Sequence, residues 1–540
     1  MTAEPPRTPE ESAPAGRERW HRRDLLLLGG GVGAAGLVTA GAVGLGRRET
    51  AGPAEPAGPV DVRDHGATGD GVTDDTAALQ AAVDGAAGRV VRFPAGTYLV
   101  SQLLLPSGTS LDLGTAVLRR HANTGGGAGG TTVRNADLER GNSDITILGG
   151  VIEGGTDATG RLLGFRNAER VHVSGVHLRK GDSSFVDWVL VLERCDDVHV
   201  SDVRITGGQE IGEDGLHIAA SSRVTVVNCT IASGDDALSL VQEYEQDRPI
   251  RDITVSNCVL SSRSAHMIRV SVLDTETEGI DGVVLTNIAG RAPEEGSFGN
   301  PVLVEDQSGR ALIRRVTVDN VVVDATGTAG TAWTVRAVRD SSFRGIRVVG
   351  ASDRSFLVED AQDLVFTDCH ATGPRPDNGN PAWSLLGCRD TVLVGCSASG
   401  APVHGFDVRG GSTGVRLVAC TSVDHGAYGF FLSDAPDTSL VACTARGGVE
   451  GIHCDTGAPP QGLLVSGCRV VGQSGQALNA VPAGSLLVGN PGVEAPDTRP
   501  RGGGEPAVGT VTGRRSDASA LTSLLSVLAA QGLIIDGTTA

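Results

Sequence analysis

A short β-branched strand closed by a small apolar residue returns thirteen times between residues 144 and 472, and this repeat limits what the chain can fold into. Copies include Asp-Ile-Thr-Ile-Leu-Gly-Gly-Val-Ile from residue 144, Arg-Val-Thr-Val-Val-Asn-Cys-Thr-Ile from 223 and Asp-Ile-Thr-Val-Ser-Asn-Cys-Val-Leu from 252. Aligned on the Cys position, the repeat is anchored at Val151, Val176, Val203, Cys229, Cys258, Ile288, Val321, Ile346, Cys369, Cys396, Cys420, Cys443 and Cys468, in steps of 23 to 33 residues. A period in that range, with alternating β-branched residues and no helical pattern, predicts a solenoid of stacked β-coils. No coil can bury its inner face alone, so the core must run along the stack. Thirteen coils at the ~4.8 Å strand spacing span roughly 60 Å.

The cysteines fit the same scheme. Most of the ten fall on or beside the anchor, where a small apolar side chain stacks in an interior ladder. Cys388 and Cys454 lie off the ladder and are the candidates for a disulfide. No paired Cys or Cys/His spacing suggests zinc, so neither a metal nor a cofactor is expected. Aromatic residues make up only 3% of the chain and there are 77 glycines, which suits tight corners better than an aromatic core. The net charge is −19, with no basic run in the repeats, which disfavours nucleic-acid binding.

Residues 1–46 read as a twin-arginine export signal or anchor, from Arg22-Arg23 followed by an uncharged Leu/Gly/Ala/Val stretch to Gly46. Export places the protein outside the cell or on the outer face of its membrane, with membrane contact only through that segment. A Pro/Ala/Gly linker over 47–58 follows, then the solenoid domain over 59–488. Its entry, 59–115, carries Gly-Asp-Gly-Val-Thr-Asp-Asp-Thr, where Asp74 or Asp75 N-caps a helix through Val83 that covers the open end of the stack. Residues 489–515 read as a linker and 516–540 as a short amphipathic helix. Monomer and homo-oligomer are both compatible with these features.

Chemistry concentrates on three successive coils. They read Gly-Glu-Asp-Gly-Leu-His-Ile over 212–218, Gly-Asp-Asp-Ala-Leu-Ser-Leu over 234–240 and Ala-His-Met-Ile-Arg-Val over 265–270. Vertical stacking would bring Asp214, Asp235, Asp236 and His266 into one patch at the mouth of apolar strands. Clustered carboxylates beside an imidazole suit acid/base cleavage of a glycosidic bond. Any one Asp alone would read as a corner residue satisfying backbone amides. Trp188, on the preceding coil, reads equally as a sugar-stacking platform or a core aromatic.

These segments resemble glycoside hydrolase family 28, the polygalacturonases, and the related pectate-lyase-like proteins. The resemblance spans residues 60–310. Gly234-Asp235-Asp236 matches the family's Gly-Asp-Asp, Gly212-Glu213-Asp214-Gly215 stands for its Asn-Thr-Asp-Gly, and Ala265-His266-Met267 for its Gly-His-Gly. The resemblance implies an all-β, single-stranded right-handed parallel β-helix and an inverting hydrolase acting on a polysaccharide. By the same resemblance Asp235 is the general acid, Asp214 and Asp236 hold and deprotonate water, and His266 supports the acid. The family's Arg-Ile-Lys is missing: Pro301-Val-Leu-Val-Glu-Asp carries no cation, and Lys180, the only lysine, lies too early in the chain. A substrate other than plain galacturonan is therefore expected, with Glu213, Trp188, Arg269 and Glu305 as its contacts. On a regular strand Arg269, three residues beyond His266, would face the other way. A lyase or epimerase on the same fold, and a noncatalytic adhesin, are the alternatives.

Overall fold

The computed structural model describes residues 58–490 and 509–510, except 123–124, 156–159, 182–186, 209, 244–245, 274–277, 292–299, 329 and 374–378. The expected export segment, the C-terminal helix and nearly all of both linkers lie outside the described residues. Among the described residues no helix is long and apolar enough to cross a membrane.

The repeat winds into a right-handed parallel β-helix built from a 29-stranded and a 15-stranded sheet. A coil gives one strand to the narrower sheet and two to the wider, as in Leu216–Ala219, Ser222–Val227 and Thr230–Ser233. Pairing is parallel and in register from coil to coil; Val198, Val224 and Ile253 succeed one another on an inward column. Twelve of the thirteen anchors are buried, and Val151 is half-buried. All ten cysteines are buried and free, including Cys388 and Cys454.

The corner explains why Asn, Asp or Gly stands before eleven of the thirteen anchors; Ala419 and Ala442 make the same turn before the other two. Asn228, Asn257, Asn287 and Asn320 all have φ between 53° and 58°, the left-handed region that Asn and Asp enter more readily than other side chains. Their amides form a ladder, with Nδ2 of Asn257, Asn287 and Asn320 donating to Oδ1 of the preceding Asn at 3.4, 3.1 and 2.9 Å.

The narrower sheet has fifteen strands rather than the thirteen coils expected. The two additional rungs flank the thirteen anchored coils, Leu478–Asn479 after the last and Leu103–Leu105 before the first. The neighbouring strand Ser110–Arg120 shifts register between Asp112 and Val117, and such an irregularity hides a periodic pattern. The helix Thr76–Asp84 buries Leu79, Ala82 and Val83 at this end. Asp75 holds its N-cap position without a side-chain cap bond. Instead, its carboxylate accepts from the amides of Thr68 and Gly69 at 2.7 and 3.1 Å, and Asp74 receives the Thr76 amide at 3.0 Å. The two aspartates divide the work, one tying the Gly-Asp-Gly loop and the other the helix start.

Candidate active site

The backbone ladder continues for two residues ahead of the narrower sheet's strands. Val189 N donates to Asp214 O, Gly215 N to Asp236 O, Ala237 N to His266 O and Met267 N to Pro301 O, all at 2.8–2.9 Å. Trp188, Asp214, Asp236 and His266 are thereby stacked in one column on successive rungs. Asp235 joins through its amide, which donates to Glu213 O at 3.2 Å. Gly215 is required here because a Cβ would lie 2.3 Å from Ile231 Cγ2 and 2.7 Å from Ala237 O.

Carboxylate oxygens of Asp214, Asp235 and Asp236 lie within 4.8 Å of one another. Asp214 and Asp236 are buried, while Asp235 is half-exposed. Hydrogen bonds fix each one. Asp214 Oδ1 accepts from Asp236 N at 3.2 Å, Asp235 Oδ2 from Gly212 N at 2.7 Å, and Asp236 Oδ1 from His266 N at 3.1 Å. The ring Nδ1 of His266 contacts Asn300 O. Burial, reinforced by the Asp235 charge, pushes Asp214 up to about 8. Asp235 and Asp236 are also raised, each by burial and then by a neighbouring carboxylate. Three carboxyls this close cannot all ionise cheaply, so the cluster retains a proton at neutral pH.

His217, which was not singled out in the sequence, completes the cluster. Its Nδ1 lies 2.8 Å from Asp214 Oδ2, and burial lowers the imidazole to about 4. Asp214 Oδ1 already accepts a backbone N–H, so the retained proton belongs on Oδ2, donating to Nδ1 of a neutral ring. The signal in the sequence was the i,i+3 pairing in Asp214-Gly-Leu-His217, which straddles the bend before the strand.

That bend also corrects the expectation for Arg269. His266 precedes the strand Ile268–Val272, so the alternation counted from it does not apply. Arg269 Nη1 reaches Asp236 Oδ2 at 3.3 Å, and the cleft therefore holds a cation. The carboxylate triad is the one group among the described residues that could hold a metal ion; three oxygen donors suit a hard divalent cation. The Arg269 guanidinium already supplies positive charge at Asp236, one of the two buried members.

The other expected contacts are placed differently. The Trp188 indole is covered by His217 of the following coil, with centroids 3.6 Å apart, and by the Arg161 guanidinium of the preceding coil at 4.6 Å. Stacked between coils, it has no face left for a sugar and serves as a wall of the site. Glu213 is buried beside Lys180, whose Nζ is 3.6 Å from Oε1, and its Oε2 accepts from Glu210 N. Lys180, distant in sequence, thus stands under the site, and the Glu213–Lys180 pair is a support rather than a substrate contact. Glu305 pairs with Arg336 of the next coil at 2.6 Å, and Arg336 also binds Glu359.

Residues 59–281 match a family model described as rhamnogalacturonase A/epimerase, pectate lyase-like. An exopolygalacturonase of Zea mays is 25% identical over 260 residues, covering 38% of this chain and 60% of the maize protein. The chain thus spans less than two thirds of that relative's length. A protein named probable polygalacturonase in Arabidopsis thaliana is 24% identical over 389 residues, covering 66% of this chain and 78% of its own. A stretch of 105 residues is 38% identical to plasmin and fibronectin-binding protein A of Streptococcus pneumoniae, covering 17% of this chain and 15% of that protein.

Proposed function

We propose that this chain, a member of the pectate-lyase-like β-helix superfamily that includes glycoside hydrolase family 28, is an exported hydrolase that cleaves O-glycosidic bonds of a polysaccharide. One observation carries the reading: three carboxylates converge within 4.8 Å, two buried and one open to solvent. Asp235, the accessible member, whose carboxyl is also raised by burial and the Asp236 charge, carries a second proton in the active form and gives it to the leaving oxygen. Asp236, with a guanidinium and a backbone amide at its oxygens, keeps negative charge and takes the proton of the attacking water. Asp214, protonated and bonded to His217, orients that water. His266 lines the site and donates its backbone amide to Asp236.

The carboxylates are closer than the general inverting separation of about 6.5–9.5 Å. Inversion therefore rests on the family resemblance, and the anomer of the first-formed product tests it. The cations near the triad are already committed, Arg269 to Asp236, Lys180 to Glu213 and Arg336 to two glutamates, which favours a glycan less anionic than plain galacturonan.

Asp235→Asn removes the acid while keeping its shape. Reducing-end release from a panel of plant, bacterial and algal polysaccharides is expected to fall by about 10²–10⁴-fold, with melting unchanged. Undiminished release removes the acid assignment. A noncatalytic glycan-binding surface would instead show glycan binding without release by the wild-type protein. Export is tested by fusing residues 1–58 to a reporter and asking whether twin-arginine pairs changed to lysine keep it inside the cell.

A further inference from the structure

The site's local motif recurs far along the same face. Asp214-Gly-Leu-His217 is matched in register by His404-Gly-Phe-Asp407, Tyr428-Gly-Phe-Phe431 and Glu450-Gly-Ile-His453. In each the second residue is a glycine whose Cβ would fall 2.0–2.7 Å from a neighbouring atom. The Glu450–His453 contact repeats the Asp214–His217 geometry, at 2.7 Å between carboxylate and Nδ1. Asn479 Nδ2 donates to the other Glu450 oxygen at 2.8 Å.

His404, Tyr428, Phe431 and His453 form a stack of half-buried rings, with centroids 4.1–5.8 Å apart and planes within 15°. Because the rings face one another, their polar edges are the groups left to meet a ligand. Asp407 sits among them. Its strand neighbours Phe406 and Val408 point into the core, so its side chain projects outward into the patch. It is 1% exposed, and its Oδ1 has no hydrogen-bond partner among the described residues. The buried Nδ1 of His404 has none either. Arg409 Nε is 3.2 Å from the other Asp407 oxygen.

The two patches share a column. From Arg269 it passes through Leu303, Thr334, Leu357 and Ser384 to Asp407, five rungs or roughly 24 Å at ~4.8 Å each. Every residue of the column between them is uncharged; the guanidinium that touches it, Arg354 on Ser384 Oγ at 3.0 Å, is paired with Asp353. We propose that the His404, Asp407, Tyr428, Glu450 and His453 patch is a second glycan-binding site, gripping the hydroxyl groups of a neutral stretch of a chain that also reaches the aspartate triad. Three carboxylates, Asp407, Glu450 and Asp353, against the guanidiniums of Arg409 and Arg354, the latter paired with Asp353, disfavour an anionic stretch, and a buried acceptor beside imidazole and phenol edges suits hydroxyls, which donate and accept. This rests on reading the triad as a glycan site.

The test uses full-length Asp235→Asn protein, end-labelled neutral galactan oligosaccharides, short and long, and galacturonan oligosaccharides of matching lengths. Tyr428→Phe with His453→Phe keeps the ring stack and deletes two of its three polar edges; Asp407→Asn keeps shape and deletes charge. Either change is expected to raise Kd for long galactan about tenfold, the equivalent of one or two hydrogen bonds, while short galactan is unaffected. Equal Kd for long galactan in parent and both variants overturns the second site while leaving the triad reading intact. A loss confined to galacturonan overturns the neutral class. A parent that binds no oligosaccharide, in a protein that releases no reducing ends, overturns both readings together.

Discussion

Asp214→Asn isolates the proton held by the site. The carboxyl titrates near 8 in the folded protein against 3.8 for the free side chain. Between those values the unfolded chain releases the proton and the folded chain keeps it. The native state then binds more protons, so stability falls as pH rises through this window. One proton corresponds to about 1.4 kcal/mol per pH unit, so this group removes roughly 3 kcal/mol between pH 5 and pH 7. Below the unfolded value the penalty vanishes, and above the folded value it stops growing. Asparagine resembles the protonated carboxyl: its oxygen still accepts from Asp236 N and its amide donates to His217 Nδ1, yet it does not titrate. Urea denaturation of both proteins at three pH values across this range should show the variant gaining on wild type by about 1.4 kcal/mol per unit. A difference that stays constant with pH refutes a protonated Asp214. Solenoids can unfold in stages, so the infrared stretch of a protonated carboxyl, present at neutral pH in wild type and absent in the variant, provides an independent check.

Arg269→Gln removes the guanidinium beside Asp236, so that carboxyl rises further and the acidic limb of the kcat/KM profile should move to higher pH; an unmoved limb refutes Asp236 as the base. Chelation with EDTA should leave activity unchanged, since Arg269 supplies the cation; loss restored by calcium or magnesium would assign the triad to a metal ion. Glu213→Gln strands the fully buried ammonium of Lys180 and should cost about 3–5 kcal/mol in denaturation experiments. A cost under about 1 kcal/mol would show that the carbonyls of Gly160 and Asp187, which Lys180 also contacts, suffice for it.

The β-helix was readable because its repeat is enforced locally. Inward apolar residues, a corner residue held at positive φ and an apolar anchor recur along the stack, so Asn228-Cys229 and Asn257-Cys258 declare their positions without reference to distant chain. Asp214, Asp235, Asp236 and His266 were readable for the same reason, since a stacked repeat converts equal offsets into vertical neighbours. The first rung, Leu103–Leu105, escaped because a register shift near Gly114 breaks the pattern there, and the last, Leu478–Asn479, because no anchored copy follows it.

What the sequence determined by itself was the period, the parallel stack and the column on which acids and imidazole meet. Tertiary structure alone decided which side chains share a space: that Lys180 lies under Glu213, that Trp188 is closed between Arg161 and His217, and that Arg269 turns toward Asp236. Those outcomes depend on the bend before each strand and on contacts between coils, which fix direction and distance across rungs. A linear pattern records spacing along the chain and carries neither.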